Sequence, residues 1–315
     1  MLKKVLGICL FWVSSILCAA PTNVKVALDW YINPDHAPLL VAASYGYFAE
    51  QGLNVEFIQP TNTSSARNLV LTHQADIGID YQPEMMLAIS QGMPLKVFAN
   101  LIPTPLSCMA SLAGGPISTM GDFKGKSIAY SGDPLDAALI NTTLKTAGVD
   151  PKSVTLVPVN MDLTQVLLSK KVDAVNGFMR NVEPVQLKAE GVQTNVFYPE
   201  QYGVPQYAEL VLITDPSHMD PATLQKFMKA LNEGVVTLRA HPIDAWNKVK
   251  AAYPQELSSS KTIESQNSLI WLASYSEFTT KMTSISGSEY QAYNAFLLKN
   301  GLIKALLPLD QYWYH

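Results

Sequence analysis

Asp29, Trp30 and Tyr31 stand together at the end of a short apolar segment, Val24 to Leu28, and a polar loop carries the chain from them to His36. A carboxylate accepts hydrogen bonds from an amino-substituted ring, and an indole offers a flat π face with its N–H left for another partner. Side by side they supply what a planar, nitrogen-bearing heterocycle needs. Tyr31 would be a second aromatic wall and His36 a donor or acceptor at the cleft floor. Each has an ordinary alternative: Trp30 as core, Asp29 as a loop cap, Tyr31 as a half-exposed loop side chain, His36 as a helix-start histidine bonded to backbone.

Further candidates lie at later strand-to-helix junctions. Thr61 and Asn62 open a hydroxyl-rich loop whose side chains and free backbone N–H groups suit an anionic or carbonyl oxygen, or simply cap the next helix. Asp80 and Tyr81 end a third strand, at the same edge. Ser131 and Gly132 open another helix, and Asn176 and Glu183 follow a strand that ends at Val175. Tyr207, with Tyr198 and Tyr202, brackets a later connector and could close over a ring. The five histidines (36, 73, 218, 241, 315) show no H-x-x-H or H-E-x-x-H spacing, so neither a metal nor a cofactor is called for. No G-x-S-x-G elbow is present, and no G-x-G-x-x-G follows an expected strand.

The elements that must position these residues alternate. Val24 to Leu28 reads as strand, Ala37 to Glu50 as helix, Asn54 to Ile58 as strand, Ala66 to His73 as helix, Asp76 to Ile79 as strand and Pro83 to Gln91 as helix. Leu95 to Ile102 is a strand that runs into Pro103-Thr104-Pro105, a stiff connector. A second set follows from Lys126 to Tyr198, and a turn-rich piece, Pro199 to Pro205, leads to the apolar strand Tyr207 to Ile213. From Pro221 onward the pattern is mostly helical. Two α/β sets joined by two connectors predict lobes hinged over a cleft, with mixed or parallel sheets flanked by helices. The expected division is residues 1–20 as a signal peptide, 21–103 as the first part of lobe one, 104–204 as lobe two, and 205–315 as the return to lobe one with its C-terminal helices.

Lys3 and Lys4, an apolar stretch from Val5 to Leu17 and the small residues Cys18-Ala19-Ala20 have the order of a cleaved secretory signal. Ser15-Ile16-Leu17 is a poor lead-in for lipid attachment at Cys18, so a lipoprotein is not expected. After cleavage only Cys108 remains, which excludes an intrachain disulfide and calls for a large, self-sufficient core. A formal charge of −4 with dispersed lysines gives no basic stripe, so nucleic acid is not expected as a partner.

Leu28-Asp29-Trp30, a loop ending in His36, then Gly46-Tyr47-Phe48 and Glu50-Gln51-Gly52-Leu53 resemble the first signature of the solute-binding proteins similar to thiamine-pyrimidine synthases. Asp122-Phe123-Lys124-Gly125-Lys126 before a strand is similar to a turn found across many solute-binding proteins. The resemblance implies a two-lobed, type 2 periplasmic binding fold, a monomer that hands a thiamine pyrimidine precursor, of hydroxymethyl or formylaminomethyl type, to an ABC permease in the inner membrane. It also implies that a glutamate in the region of Glu183 faces the pyrimidine, although a glutamate there equally suits the helix dipole. The synthases of the family carry a lysine and a histidine around the third junction, where this chain has Asp80 and Glu84, and a cysteine-rich stretch where it has Gln206-Tyr207-Ala208-Glu209. Those departures argue against an enzyme of pyrimidine synthesis. Binding of sulfonate, nitrate or another small anion is the rival ligand class, favoured if Arg180 lies at the cleft centre and disfavoured if Asp29 and Glu183 do. A sensor with the same fold is a third possibility.

Overall fold

Short apolar strands that feed helices, with left-handed glycines at the turns, dictate sheets covered on both faces. A computed structural model describes residues 20–60, 65–159, 162–257 and 286–314. In chain order the strands are β1 (Thr22–Ala27), β2 (Leu53–Ile58), β3 (Ile77–Asp80), β4 (Lys96–Ile102), β5 (Ser107–Leu112), β6 (Ser127–Tyr130), β7 (Thr155–Pro158), β8 (Ala174–Met179), β9 (Thr194–Phe197) and β10 (Leu210–Thr214). They form two five-stranded sheets, ordered β2-β1-β3-β10-β4 and β7-β6-β8-β5-β9. The two orders are the same pattern written twice. In each, three parallel strands are followed by one antiparallel strand that arrives from the other lobe. The architecture is α/β and two-lobed, with mixed sheets.

The chain leaves the first sheet after Ile102 and returns to it at Leu210, so two connectors cross between the lobes. β10 is buried at every position, as the interior strand of a covered sheet must be. β7, at the edge of the second sheet, is exposed at both ends. Trp313 forms a bridge to Val97, which ties the C-terminal segment to the outer strand β4.

Three elements depart from the sequence pattern. The helix expected over Ala37 to Glu50 is two helices, Ala37–Tyr45 and Tyr47–Glu50, because Gly46 adopts φ +85° and terminates the first with a left-handed cap. β5 was not legible as a strand: Ser107, Cys108, Met109, Ala110 and Ser111 carry little β-propensity, and pairing with β8 and β9 makes the strand. The return strand begins at Leu210 rather than Tyr207, since Tyr207 is packed into the apolar cluster beside Tyr293, with ring centroids 5.1 Å apart. The long helix Pro221–Ala240 lies on Ala37–Tyr45 at Gly234, where an added Cβ would meet the Pro38 carbonyl oxygen at 2.6 Å. Only glycine permits that approach. Among the described residues no helix is long and apolar enough to cross a membrane.

Candidate functional site

The parallel order of both sheets brings the carboxyl ends of β1, β3 and β8 and the junction after β6 to one interior face, as open α/β sheets do. There the lobes enclose a cavity of about 610 Å³ with walls from both. Of the residues expected from the sequence, Asp29, Trp30, Tyr31, Tyr81, Ser131, Asn176 and Glu183 line it. His36, Asp80, Gly132 and Tyr207 do not. Thr61 and Asn62 lie outside the described residues.

Trp30 and Tyr31 are 44% and 55% exposed and meet edge to face at 5.7 Å, so Trp30 is not a core residue. They end β1 as an aromatic ledge over the cavity. Beneath them Asp29 is engaged on both oxygens. His36 Nε2 lies 2.9 Å from Oδ1, and the Tyr81 hydroxyl donates to Oδ2 at 2.9 Å. Burial pushes the Asp29 carboxyl up, but the His36 ring and the Tyr81 hydroxyl outweigh it and hold the group below the ordinary carboxylate range. Burial, and then the Asp29 charge, push the Tyr81 phenol well above its usual value. His36 is wholly buried behind Asp29, with its Nδ1 unpartnered. It orients the aspartate instead of reaching the cavity.

Asp80 takes two hydrogen bonds from Arg67, 2.7 Å and 2.9 Å, and accepts from the Tyr81 backbone N–H. Its carboxylate is thus spent on clamping the start of the helix Gln82–Ser90, not on the cavity. Gly132 turns the chain at φ +92°, with Pro158 against it.

Asn176 is the most telling side chain in the wall. It sits on β8, is 1% exposed, lines the cavity, and neither its Nδ2 nor its Oδ1 has a partner. Buried amides are nearly always paired, so this carboxamide leaves both a donor and an acceptor to offer at the cavity wall. Glu183 accepts from the Met179 N–H at 2.7 Å. Burial, with Asp35 adding to it, pushes its carboxyl up to about 7 against the pull of those backbone N–H groups.

Sequence reasoning missed Asp35, Asp136 and Glu209 as lining residues. Glu209 accepts from the Leu106 and Ser107 N–H groups at 2.6 and 3.0 Å, which staples one inter-lobe connector to the other. Burial pushes its carboxyl up to about 7 even so. Asp35 accepts from the Asn181 amide at 2.5 Å, a hydrogen bond between lobe one and lobe two. Asp136 accepts from the Ser131 hydroxyl at 2.5 Å. No lysine, arginine or histidine is among the described lining residues. Arg180 stands behind the wall: its guanidinium bonds Glu200 at 2.7 Å, lies 4.2 Å from the centroid of the Tyr198 ring and donates to the carbonyl oxygens of the lining residues Leu106 and Ser107 at 3.3 and 3.4 Å. No group of side chains that could hold a metal ion occurs among the described residues.

The arrangement therefore offers an aromatic ledge, an unpaired carboxamide and a set of carboxyl groups. Comparison with known proteins accords with a binding cleft of this type. A family model described as NMT1/THI5 like matches residues 33–245. A Haemophilus influenzae protein named for thiamine biosynthesis is 34% identical over 293 residues, covering 93% of this chain and 92% of that one. A formylaminopyrimidine-binding protein of Halalkalibacterium halodurans is 34% identical over 227 residues, 71% of this chain and 69% of its own. In structure the chain is similar to the alkanesulfonate-binding protein SsuA of Xanthomonas axonopodis pv. citri bound to MOPS, with a TM-score of 0.69 at 12% identity, covering 94% of this chain and 99% of that one. That likeness establishes the periplasmic binding-protein fold and no more. Family match, relatives and fold agree, and the chain is a member of the NMT1/THI5-like family.

Proposed function

We propose that this protein is the periplasmic solute-binding protein of an ABC importer and carries a thiamine pyrimidine precursor of the hydroxymethyl or formylaminomethyl type. The observation that carries the reading is the orphaned Asn176 carboxamide in a wall with carboxyl groups and no described cation. An aminopyrimidine edge presents an N–H donor beside a ring-nitrogen acceptor. A carboxamide matches that pair, as asparagine does on adenine. Trp30 and Tyr31 supply the face on which such a ring stacks. The 34% identical formylaminopyrimidine-binding relative supports the same ligand class.

A small anion is disfavoured, because it would enter a wall of carboxyl groups while Arg180 is committed to Glu200. Catalysis is disfavoured by Asp80 and Glu84 standing where the resembled synthases carry lysine and histidine. Export on the residue 1–20 signal, a monomeric state and an inner-membrane permease partner belong to the same proposal. Thermal shift and calorimetry against the two pyrimidines, taurine and nitrate test it. A pyrimidine at 100 times its dissociation constant should stabilise the protein by about 2.7 kcal/mol. Stabilisation by taurine or nitrate alone would sink the reading.

A further inference from the structure

The lysines of lobe two look dispersed along the sequence, and the fold gathers them at one end. Between β5 and β10 there are seven: Lys124, Lys126, Lys145, Lys152, Lys170, Lys171 and Lys188. Lys124 and Lys126 lead into β6, Lys152 stands in the turn before β7, and Lys170 and Lys171 precede β8, all three strands being parallel. The backbone holds those strand entries together: the Gly125 N–H donates to the Ser153 carbonyl at 2.9 Å, Thr155 to Lys126 at 2.9 Å, and Asp173 to Ser127 at 3.1 Å. Lys145 and Lys188 occupy the last turns of the helices Pro134–Thr146 and Glu183–Ala189, which run from the cavity back to the same end. The helix dipole accounts for those two but not for the five at strand entries. Lys126 is half-buried and the other six are exposed. Among the described residues none of the seven is in an ion pair. They outnumber the carboxylates of that end, Asp122, Asp150, Asp173 and Glu190. The three aspartates accept from the backbone N–H groups of Thr119, Lys152 and Ser127. The lining carboxyls Asp133, Asp136 and Glu183 sit at the opposite, cavity end of the same helices. A helix of 13 residues separates the two ends by about 20 Å, more than twice the Debye length of about 8 Å at physiological salt. The basic end therefore acts on its surroundings by itself, although the whole chain has a formal charge of −4.

We propose that this end of lobe two is a docking face for an anionic phospholipid surface. Clusters of four to eight basic side chains bind such surfaces through charge alone. Lysine carries its charge as a compact point on a flexible stem, without the planar fork with which arginine grips a fixed carboxylate. A face of lysines without arginine suits headgroups that move in the plane of a bilayer better than the fixed acidic side chains of a protein. The large apolar side chains that the described residues expose are Trp30, Tyr31, Val236, Ile243, Leu298 and Leu306, all outside lobe two. The buried apolar or aromatic anchor on which a protein interface depends is thus missing from the basic end. The contact is peripheral, since no described helix is long and apolar enough to cross a membrane. It also leaves the cavity accessible, because it uses the amino ends of strands whose carboxyl ends meet the ligand. Under the export reading above, such a face holds the protein beside the membrane while its cleft loads.

The test is co-sedimentation of the exported protein with vesicles of phosphatidylcholine alone or mixed with phosphatidylglycerol, at low salt and without any pyrimidine. The protein should sediment with the anionic vesicles and stay in solution with the neutral ones. Binding should disappear at about 0.5 M salt, where the Debye length is only a few ångströms. Each lysine near the surface contributes about a fivefold gain in affinity, so Lys152→Gln with Lys171→Gln should weaken binding about 25-fold. Lys226→Gln with Lys229→Gln makes the same change in net charge on exposed positions of lobe one and should leave binding as it was. No binding to the anionic vesicles, or equal binding to both kinds, overturns the proposal. So does an equal loss in the two double variants, which would make net charge the cause. A DNA duplex bound more tightly than the vesicles would assign the face to nucleic acid and overturn it as well. The comparison of lipids and salts is read on the unaltered protein, so it stands even if a variant fails to fold. It is also independent of the cavity, so its failure would leave the pyrimidine reading untouched.

Discussion

Asn176→Leu should make the unliganded protein more stable and its ligand complex weaker. Leucine keeps asparagine's branching and its count of side-chain heavy atoms, the cavity that position 176 lines leaves room for its greater volume, and the position is 1% exposed on β8 with a donor and an acceptor both unpaired. Each buried polar group left unpaired costs about 1–3 kcal/mol, so removing two relieves at least about 2 kcal/mol. With roughly 2–4 °C per kcal/mol for chains of 150–250 residues, melting should rise by about 4 °C or somewhat less in this longer chain. Binding moves the other way. Two lost hydrogen bonds of about 1 kcal/mol net each weaken a pyrimidine by about 2 kcal/mol, or about 30-fold at 1.4 kcal/mol per decade. Scanning calorimetry without ligand and titration calorimetry with 4-amino-5-hydroxymethyl-2-methylpyrimidine measure the two effects on the same preparation. A variant that melts several degrees lower, or that binds the pyrimidine with wild-type affinity, would refute the assignment of Asn176 to the ligand.

Trp30→Ala should fold normally, since its ring is 44% exposed, yet lose at least about tenfold in pyrimidine affinity by calorimetry. Asp29→Asn should cost about 1–3 kcal/mol in urea unfolding, because it disturbs the acceptor that serves buried His36 and Tyr81. The Asp29 contribution itself is present above the unfolded carboxyl value and is lost as pH falls through the lowered folded one, so in wild type it fades only in strong acid. Glu183 and Glu209 act in the opposite sense. With folded values near 7, the native state binds more protons than the unfolded chain between about 4.5 and 7, so the unliganded protein should melt higher at pH 5.5 than at 7.5. Asn181→Ala removes the hydrogen bond from lobe two to Asp35. It should enlarge the radius of gyration in small-angle scattering and weaken binding by up to about tenfold, although Asn181 does not line the cavity.

The first βαβ unit was readable from the sequence because its signals are local: an apolar strand, a polar loop, an apolar-periodic helix and Gly52 as its stop; the break at Gly46 was not. The same locality placed Asp29, Trp30 and Tyr31 at a strand's carboxyl end, where ligands of open α/β sheets sit. It could not say that Asp29 would be spent on His36 and Tyr81, or Asp80 on Arg67. Those partners are 7, 52 and 13 residues away, and which way a carboxylate turns is decided by packing. β5 escaped because its residues have little strand preference of their own, and it exists through pairing with β8 and β9. Glu209 and Leu106 are 103 residues apart, and Asp35 and Asn181 are 146 apart. Periodicity and turn chemistry act over a few residues and determined, by themselves, that this chain would be alternating α/β with aromatic and acidic groups at its strand ends. Which of those groups meet around one cavity was decided by the two chain crossings between the lobes, since burial, charge pairing and an orphaned amide are properties of groups brought together from far along the chain.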